Sequence, residues 1–322
     1  MTEKCPGHQH SFAGYRNALR MTRQRTILVE GPDDKRALLR LLETFVPDKS
    51  IRRSVTIDTA EILMSPSRPL GNREKVEEFC LHECGQEFVG KLVGFVDREF
   101  RGFSTHPSIA DDVSDHYVNG YLVWSRGHSL ENYYFDFGTL REPLRTFSVT
   151  VFFDEALARF EHAFESCLRL ACASSLAAHE ANRVKAVKAS IDWKALNLRQ
   201  NEIELNAPAW RDNMVSRLNL TTQQADFLVE SYQRWSAAVA TTDPSLIRWL
   251  CHGHIGLSVL WAGYARCVYE VTGQDEGETA RVLGAEESVR FNACAESWTR
   301  RALHDGVPAP LILLEMLGLK AS

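Results

Sequence analysis

The sequence predicts an α/β fold in which a mostly parallel sheet, flanked by helices, is followed by a mostly α-helical domain. Three features indicate this: short apolar runs between residues 26 and 125, amphipathic segments of helical period between them, and longer helical segments after about residue 142. The chain has 322 residues, more than one domain usually contains. We therefore expect two domains, residues 1–140 and 141–322.

The first half of the chain alternates between the period of strands and the period of helices. Strands are predicted at residues 26–30, 54–59, 91–97 and 120–125. Helices are predicted at residues 33–46 and 72–84. The first helix has one apolar stripe, formed by Ala37, Leu38, Leu41, Leu42 and Phe45. Strands separated by helices of this length pair in parallel, and ligands bind at the carboxyl ends of such strands.

The second half has a different character. Helices are predicted at residues 153–173, 176–196, 222–241 and 281–303. Their apolar surface exceeds what one face of a sheet can cover. We therefore expect this region to form a homodimer interface or to dock a partner protein.

Composition and charge limit the classes of function. The formal net charge of −5 means that any surface for nucleic acid must be a local patch. The eight cysteines are scattered and no secretory signal precedes them, so reduced thiols in the cytoplasm are expected. Apolar stretches such as residues 255–265 and 309–319 are too short to span a bilayer. These features predict a cytoplasmic protein with no membrane segment.

Several common motifs are missing from the sequence. It contains no Walker A loop, no G-x-G-x-x-G, no G-x-S-x-G and no H-E-x-x-H. Any dependence on ATP must therefore come from another polypeptide. Cys5, His8 and His10 have the chemistry of metal ligands, but no second pair follows at zinc-finger spacing. A terminal segment without a metal site is the preferred interpretation.

Carboxylates follow two of the predicted strands. Glu30 ends the first strand, and Gly31 after it permits a tight turn into a helix. Asp97 ends the third strand, and Glu99 follows two residues later. Because these strand ends share one edge of a parallel sheet, we expect the carboxylates to converge, where they repel unless a cation lies between them. Mg²⁺ prefers such oxygen ligands, although carboxylates at strand ends are also common as solvated turn residues.

Three segments of the sequence resemble motifs of known nucleases. ILVEGPDDKRALLRLL, residues 27–42, resembles the first motif of TOPRIM domains, with Glu30 at the invariant glutamate. LVGFVDREF, residues 92–100, is similar to their Asp-x-Asp motif, with Asp97 and Glu99 in the acidic positions and Glu replacing the second Asp. HSLENYYFD, residues 128–136, is similar to the H-x-x-E-N-Y/F motif of a TOPRIM-type defence family. That family includes AriB, the effector of the PARIS anti-phage system, and is distantly related to OLD-type nucleases.

The resemblance implies a TOPRIM-like fold and a nuclease that depends on Mg²⁺ or Mn²⁺. It implies that Glu30, Asp97 and Glu99 are catalytic and bind the metal. It also implies a partner ATPase of the AAA or ABC type, whose release of the nuclease leads to cleavage of host tRNA. The free chain is expected to be a homodimer.

Further residues are candidates through the same motifs. Glu131 matches the glutamate of the third motif and is a candidate metal ligand, with a structural hydrogen-bonding role as the alternative. Asp34, Lys35 and His128 are accessory candidates, and for Asp34 the alternative is a cap of the first helix.

Basic residues provide candidate contacts to the nucleic-acid backbone. Arg98, between Asp97 and Glu99, and Arg101, two residues after Glu99, lie beside the acidic residues, where they could neutralise phosphates. Lys185 and Lys188 belong to a basic run that continues to residue 199. A solvated helix face is the alternative for that run.

The sequence leaves two other functions open. One is an OLD-like TOPRIM nuclease that acts on DNA, and the first two motifs alone also suit a primase or topoisomerase fragment. The other is a catalytically silent adaptor of an ATPase complex. Such an adaptor would not need clustered carboxylates.

Overall fold

The computed structural model describes residues 9–65, 68–106 and 108–320. Cys5 and His8 of the N-terminal segment lie outside these residues. Within them the strands are β1 (Arg25–Val29), β2 (Val55–Thr59), β3 (Leu92–Val96), β4 (Phe103–Ser104), β5 (Ala110–Asp111), β6 (Tyr117–Asn119), β7 (Leu122–Trp124), β8 (Leu196–Arg199) and β9 (Glu202–Leu205).

Helices make up most of the remaining structure. The α-helices are α1 (Phe12–Met21), α2 (Pro32–Phe45), α3 (Lys49–Arg53), α4 (Asn72–His82), α5 (Phe137–Phe147), α6 (Phe153–Glu180), α7 (Val184–Ser190), α8 (Ala207–Leu218), α9 (Thr222–Ala240), α10 (Pro244–Leu250), α11 (Gly253–Val271), α12 (Glu276–Val282), α13 (Glu287–His304) and α14 (Ile312–Met316). Short 3-10 helices span Ala60–Ile62, Gln86–Phe88, Leu130–Tyr134 and Trp193–Ala195.

The chain divides into two compact units. The first consists of the described residues up to Arg98, the segment Ser114–Arg126, and the residues from Trp298 onward. The second consists of Glu99–Val113 and Gly127–Ser297. The sequence predicts consecutive domains that meet at residue 140, whereas neither unit is one continuous segment. Sequence order does not show this division, because β6, β7 and α14 belong to the first unit although they follow β4 and β5 of the second.

A five-stranded sheet organises the first unit. Its strand order is β2-β1-β3-β7-β6, with parallel pairing from β2 to β7 and an antiparallel β6 at one edge. The predicted mostly parallel sheet is thus confirmed, and all four predicted strands belong to it. The predicted apolar stripe of α2 is also confirmed, since all five of its residues are buried. An apolar core that includes Phe12 and Tyr15 of α1 and Phe79 of α4 packs with Leu28, Leu92 and Leu122 of the sheet.

The second unit is mostly helical, and α6 packs against α9 and α11. Two predicted helices, residues 153–173 and 176–196, are wrong in their bounds, because α6 continues to Glu180 and the chain then forms α7 and β8. Ser175 does not interrupt α6, since its hydroxyl donates to the Ala171 carbonyl one turn earlier, 2.7 Å away. Asn182, with a φ of 51°, takes the left-handed conformation after the helix ends.

The prediction of one helix over residues 281–303 is also wrong at its start. Arg281 belongs to α12, and α13 begins at Glu287. Gly284 lies in the break between them, where a residue of low helix propensity favours an interruption. None of the helices in the described ranges combines the length and the hydropathy that crossing a membrane requires.

Candidate active site

The sheet of the first unit brings two predicted carboxylates together. β1 and β3 are neighbouring parallel strands with Val29 opposite Phe95, so Glu30 and Asp97 leave the sheet at the same edge. The Asp97 amide donates a hydrogen bond to Glu30 Oε1 over 2.7 Å. Both residues are half-buried. Glu30 and Asp97 therefore follow neighbouring strands at the same edge of the sheet, as predicted, whereas Glu99 belongs to the second unit. The convergence of the carboxylates themselves stays a prediction.

The turn after Glu30 is built by the start of α2. Gly31 is the N-cap, and its amide donates to Asp34 Oδ2 over 3.0 Å. Asp34 therefore caps the helix, as the alternative interpretation predicted. The Lys35 amide donates to the Gly31 carbonyl over 3.1 Å, and its side chain is half-buried. These contacts fix the direction in which the chain leaves Glu30.

Arg98 does not lie on the surface, although it was predicted to contact nucleic acid. Arg98 is only 1% exposed to solvent. Its amide donates to Ser125 Oγ over 3.0 Å, and its Nη1 donates to the Arg126 carbonyl over 2.8 Å. The guanidinium thus binds backbone within the protein, which does not support the predicted role for this residue. The sequence does not indicate that Arg98, between Asp97 and Glu99, is buried.

Glu99 begins the second unit in an unusual backbone conformation. Its φ is 52°, in the left-handed region that residues other than glycine rarely adopt. The Glu99 amide donates to the His128 carbonyl over 2.7 Å, which holds this conformation. The Glu99 side chain is exposed, as is that of Arg101. Non-glycine residues in this region often mark functional positions, because the surrounding structure must compensate the strain.

The third motif is buried in the second unit. His128, Ser129, Glu131 and Asn132 are each at most 6% exposed. Asn132 Nδ2 donates to the carbonyls of Arg248, in the last turn of α10, and of Cys251, just after that helix, each over 2.7 Å. The motif therefore has a structural function in joining its 3-10 helix to α10, and Asn132 supplies that contact.

Protein groups surround the Glu131 carboxylate. The Ser129 hydroxyl donates to Glu131 Oε2 over 2.6 Å, and His254 Nδ1 lies 3.4 Å from Glu131 Oε1. A methyl group on Gly253, the first residue of α11, would collide with Ser129 and Glu131. The carboxylate thus packs at the N-terminus of α11, where a negative charge is favourable. These contacts support the structural alternative for Glu131, and its role as a metal ligand stays a prediction.

The same network includes Lys188. Lys188 Nζ donates to both carboxylate oxygens of Glu287, over 2.7 and 2.8 Å, and His254 Nδ1 lies 3.2 Å from Glu287 Oε1. Although burial raises the pKa of the Glu287 carboxyl, Lys188 and His254 together lower it below its usual value. Lys188 therefore balances the Glu287 carboxylate, which does not support its predicted contact with nucleic acid. Glu287 was not predicted, because it lies far along the chain from Glu131 and Lys188.

The rest of the basic run is also largely paired. Lys194 contacts Glu276 over 2.8 Å, and Arg199 lies 3.8 Å from Glu204. Lys185 is exposed on α7. A phosphate group would have to compete with these carboxylates for the basic side chains. The contacts therefore favour the alternative interpretation of the run as a solvated, ion-paired helix face over a binding surface for nucleic acid.

His252 lies among several of the candidate residues of the second unit. Its ring stands 4.7 Å from the ring of His128, centroid to centroid, and Nδ1 is buried without a hydrogen-bond partner among the described residues. Burial and, less strongly, the charge of His254 lower the pKa of His252 to about 4, although Glu131 and Glu99 oppose the shift. His252 is therefore neutral at physiological pH.

This shift predicts a loss of stability in acid. The folded protein resists protonation of His252 until about pH 4, whereas the unfolded chain takes up the proton near pH 6.5. The unfolded state binds more protons between these values, so the free energy of unfolding falls as the pH falls from about 6.5 to about 4, by at most about 3 kcal/mol. Urea unfolding across this range, in EDTA, should show a smaller decrease for His252→Gln than for the wild type. Equal decreases would contradict the prediction.

The donor atoms of the first unit suit a magnesium ion that keeps most of its waters. In the described part of the chain, no group of three or more His, Cys, Asp or Glu side chains is arranged to hold a metal ion. Mg²⁺, however, is commonly bound by one or two carboxylates, with waters and substrate phosphates completing its shell. Glu30 and Asp97 are both half-buried, and the Asp97 amide donates to Glu30, so two carboxylates of this chemistry lie on adjoining strand ends.

Comparison with known proteins leaves the family of this chain open. No protein-family model matches the sequence. No curated protein matches it significantly either.

Proposed function

We propose that this protein is a metal-dependent nuclease of the TOPRIM type, with Glu30 and Asp97 at the centre of its active site. The observation that supports this most directly is the 2.7 Å hydrogen bond from the Asp97 amide to Glu30 Oε1. It joins the first two sequence motifs at the carboxyl edge of a parallel sheet, where enzymes of this architecture bind ligands.

Glu30 and Asp97 would hold Mg²⁺ or Mn²⁺. When bound, the ion would polarise a phosphodiester and neutralise developing negative charge. The chain's own contribution is positional. Glu30 Oε1 fixes the backbone at Asp97, and Gly31 and Asp34 direct the chain from Glu30 into α2. Both carboxylates would then have to reach the same metal ion from this edge. Glu99, two residues after Asp97, is the proposed third acidic residue.

Nucleic acid is the proposed substrate, and tRNA is favoured over DNA through the resemblance of the third motif. We further propose that a partner ATPase restrains the nuclease and that the free chain is a homodimer. Because Arg98 is buried and Lys188 is paired, the exposed Arg101 and Lys185 are the remaining candidates for contact with the backbone of the substrate.

A direct assay tests the proposal. Purified protein should be incubated with labelled tRNA and with plasmid DNA side by side, in Mg²⁺, in Mn²⁺ and in EDTA. We expect cleavage that requires the metal and that is faster on tRNA. Cleavage of plasmid alone would favour the DNA nuclease, and the absence of cleavage of both substrates would favour the adaptor.

A further inference from the structure

The two residues that follow β3 lie between side chains from both neighbouring strands. On one side, Glu30 follows β1 and accepts the hydrogen bond of the Asp97 amide over 2.7 Å. On the other side, Ser125 follows β7 and accepts the hydrogen bond of the Arg98 amide through Oγ over 3.0 Å. Side-chain oxygens thus replace the carbonyl acceptors of a sheet where the strands end.

Ser125 makes contacts on both sides of Asp97 along the chain. Its amide donates to the Val96 carbonyl over 2.9 Å, and its hydroxyl accepts from Arg98. Ser125 is 0% exposed, so water does not compete for these hydrogen bonds. The backbone is therefore held immediately before and immediately after Asp97, by the same residue.

The Arg98 side chain reinforces this arrangement. Nη1 donates to the Arg126 carbonyl over 2.8 Å, so Arg98 is attached to the segment after β7 by its amide and by its guanidinium. A buried cation that binds a backbone carbonyl costs desolvation, which is compensated only when the hydrogen-bond geometry is good.

We propose that Ser125, with Arg98, is a positioning residue that sets the orientation of the Asp97 carboxylate toward the metal. This inference rests on the proposed function. Neither side chain touches substrate. The contacts act through the backbone of Asp97, and such supporting contacts typically change metal affinity or activity by about 10- to 100-fold.

Ser125→Ala removes the acceptor, whereas Ser125→Thr retains a hydroxyl. We expect Ser125→Ala to lower kcat by about tenfold or more and to weaken Mn²⁺ binding, measured by electron paramagnetic resonance, by a similar factor. The KM for tRNA should stay within about twofold, because substrate contacts are unchanged. Ser125→Thr should recover most of the lost kcat and Mn²⁺ affinity.

Val123→Ala is the matched control, since Val123 is buried in β7, the strand that Ser125 follows, and makes none of these side-chain hydrogen bonds. It should lower the melting temperature at least as much as Ser125→Ala while leaving kcat and Mn²⁺ affinity unchanged. If Ser125→Ala and Val123→Ala lose kcat and Mn²⁺ affinity equally, Ser125 has only a structural role and the proposal is overturned.

The proposed function can fail separately from this inference. If the wild-type protein cleaves no nucleic acid, the nuclease is refuted, and the Mn²⁺ titration still decides the role of Ser125. Wild-type Mn²⁺ affinity in Ser125→Ala would overturn the positioning role, whether or not the wild type is active. If Ser125→Ala does not fold, the same titration on Arg98→Met replaces it, because this change removes the guanidinium hydrogen bond to the Arg126 carbonyl. Weaker Mn²⁺ binding is expected, and wild-type Mn²⁺ affinity would overturn the positioning role.

Discussion

Replacement of Glu30 by glutamine should nearly abolish metal-dependent cleavage while leaving the fold intact. The amide oxygen of glutamine can still accept the hydrogen bond from the Asp97 amide, which spans 2.7 Å in the wild type. Only the negative charge that would bind the metal is lost. We expect the cleavage rate to fall by at least about a hundredfold, equivalent to about 2.7 kcal/mol of activation free energy. Initial rates on labelled tRNA in Mg²⁺ and in Mn²⁺ measure this.

Glu43→Gln provides the matched control. Glu43 lies on α2 in the same unit, is exposed to solvent and pairs with Arg40 over 3.4 Å, so the substitution makes the same chemical change away from the carboxylate edge. Its cleavage rate should equal that of the wild type. Both variants should keep the wild-type melting temperature, because exposed or half-buried carboxylates contribute little to stability. A Glu30→Gln variant that cleaves at the wild-type rate would show that the active site is elsewhere.

Strands β1, β3 and β7 of the sheet were predictable because they are short apolar runs with a carboxylate or a small residue after them. Glu30 and Asp97 were predictable for the same reason, since the end of a parallel strand fixes where the next side chain lies. β6 was not predictable from Tyr117, Val118 and Asn119, which are all exposed and show no alternation. β6 is a strand because it pairs with β7, and its own three residues show no pattern typical of a strand.

The parts of the site that sequence reasoning missed depend on tertiary contacts. Ser125 is the last residue of a predicted strand and carries no sign of a further role in the sequence; only the position of Arg98 in space gives its hydroxyl a function. Glu131 and Lys188 looked like candidates for ligand contact because their charges were visible. Their partners, Glu287 for Lys188 and His254 for Glu131, are distant in the sequence. The sequence therefore did not reveal these intramolecular ion pairs. The sequence identifies the charged residues, but it does not show which of these charges are already neutralised by another residue of the chain.

Restraint by a partner is plausible on thermodynamic grounds. The chain has no Walker A loop, so a switch driven by ATP would have to reside on another protein. A partner present at about 100 times its dissociation constant would stabilise the bound state by about 2.7 kcal/mol and leave about 1% of the chain free. Release would then raise the concentration of the free chain by up to about a hundredfold, without any change in the proposed active site.

Expression of this chain alone in bacterial cells should therefore stop growth and degrade tRNA, and Asp97→Ala should remove both effects. Asp97 is half-buried and its hydrogen bond to Glu30 uses the backbone amide, so the substitution removes the carboxylate and leaves that contact in place. Growth curves and tRNA integrity after induction measure the outcome, with protein levels matched by immunoblot and Glu43→Gln as the control that stays toxic. Toxicity that persists in Asp97→Ala would indicate an adaptor or an aggregation effect. If wild-type cells grow normally and purified protein with Mg²⁺ leaves tRNA and plasmid DNA intact, the nuclease function is refuted.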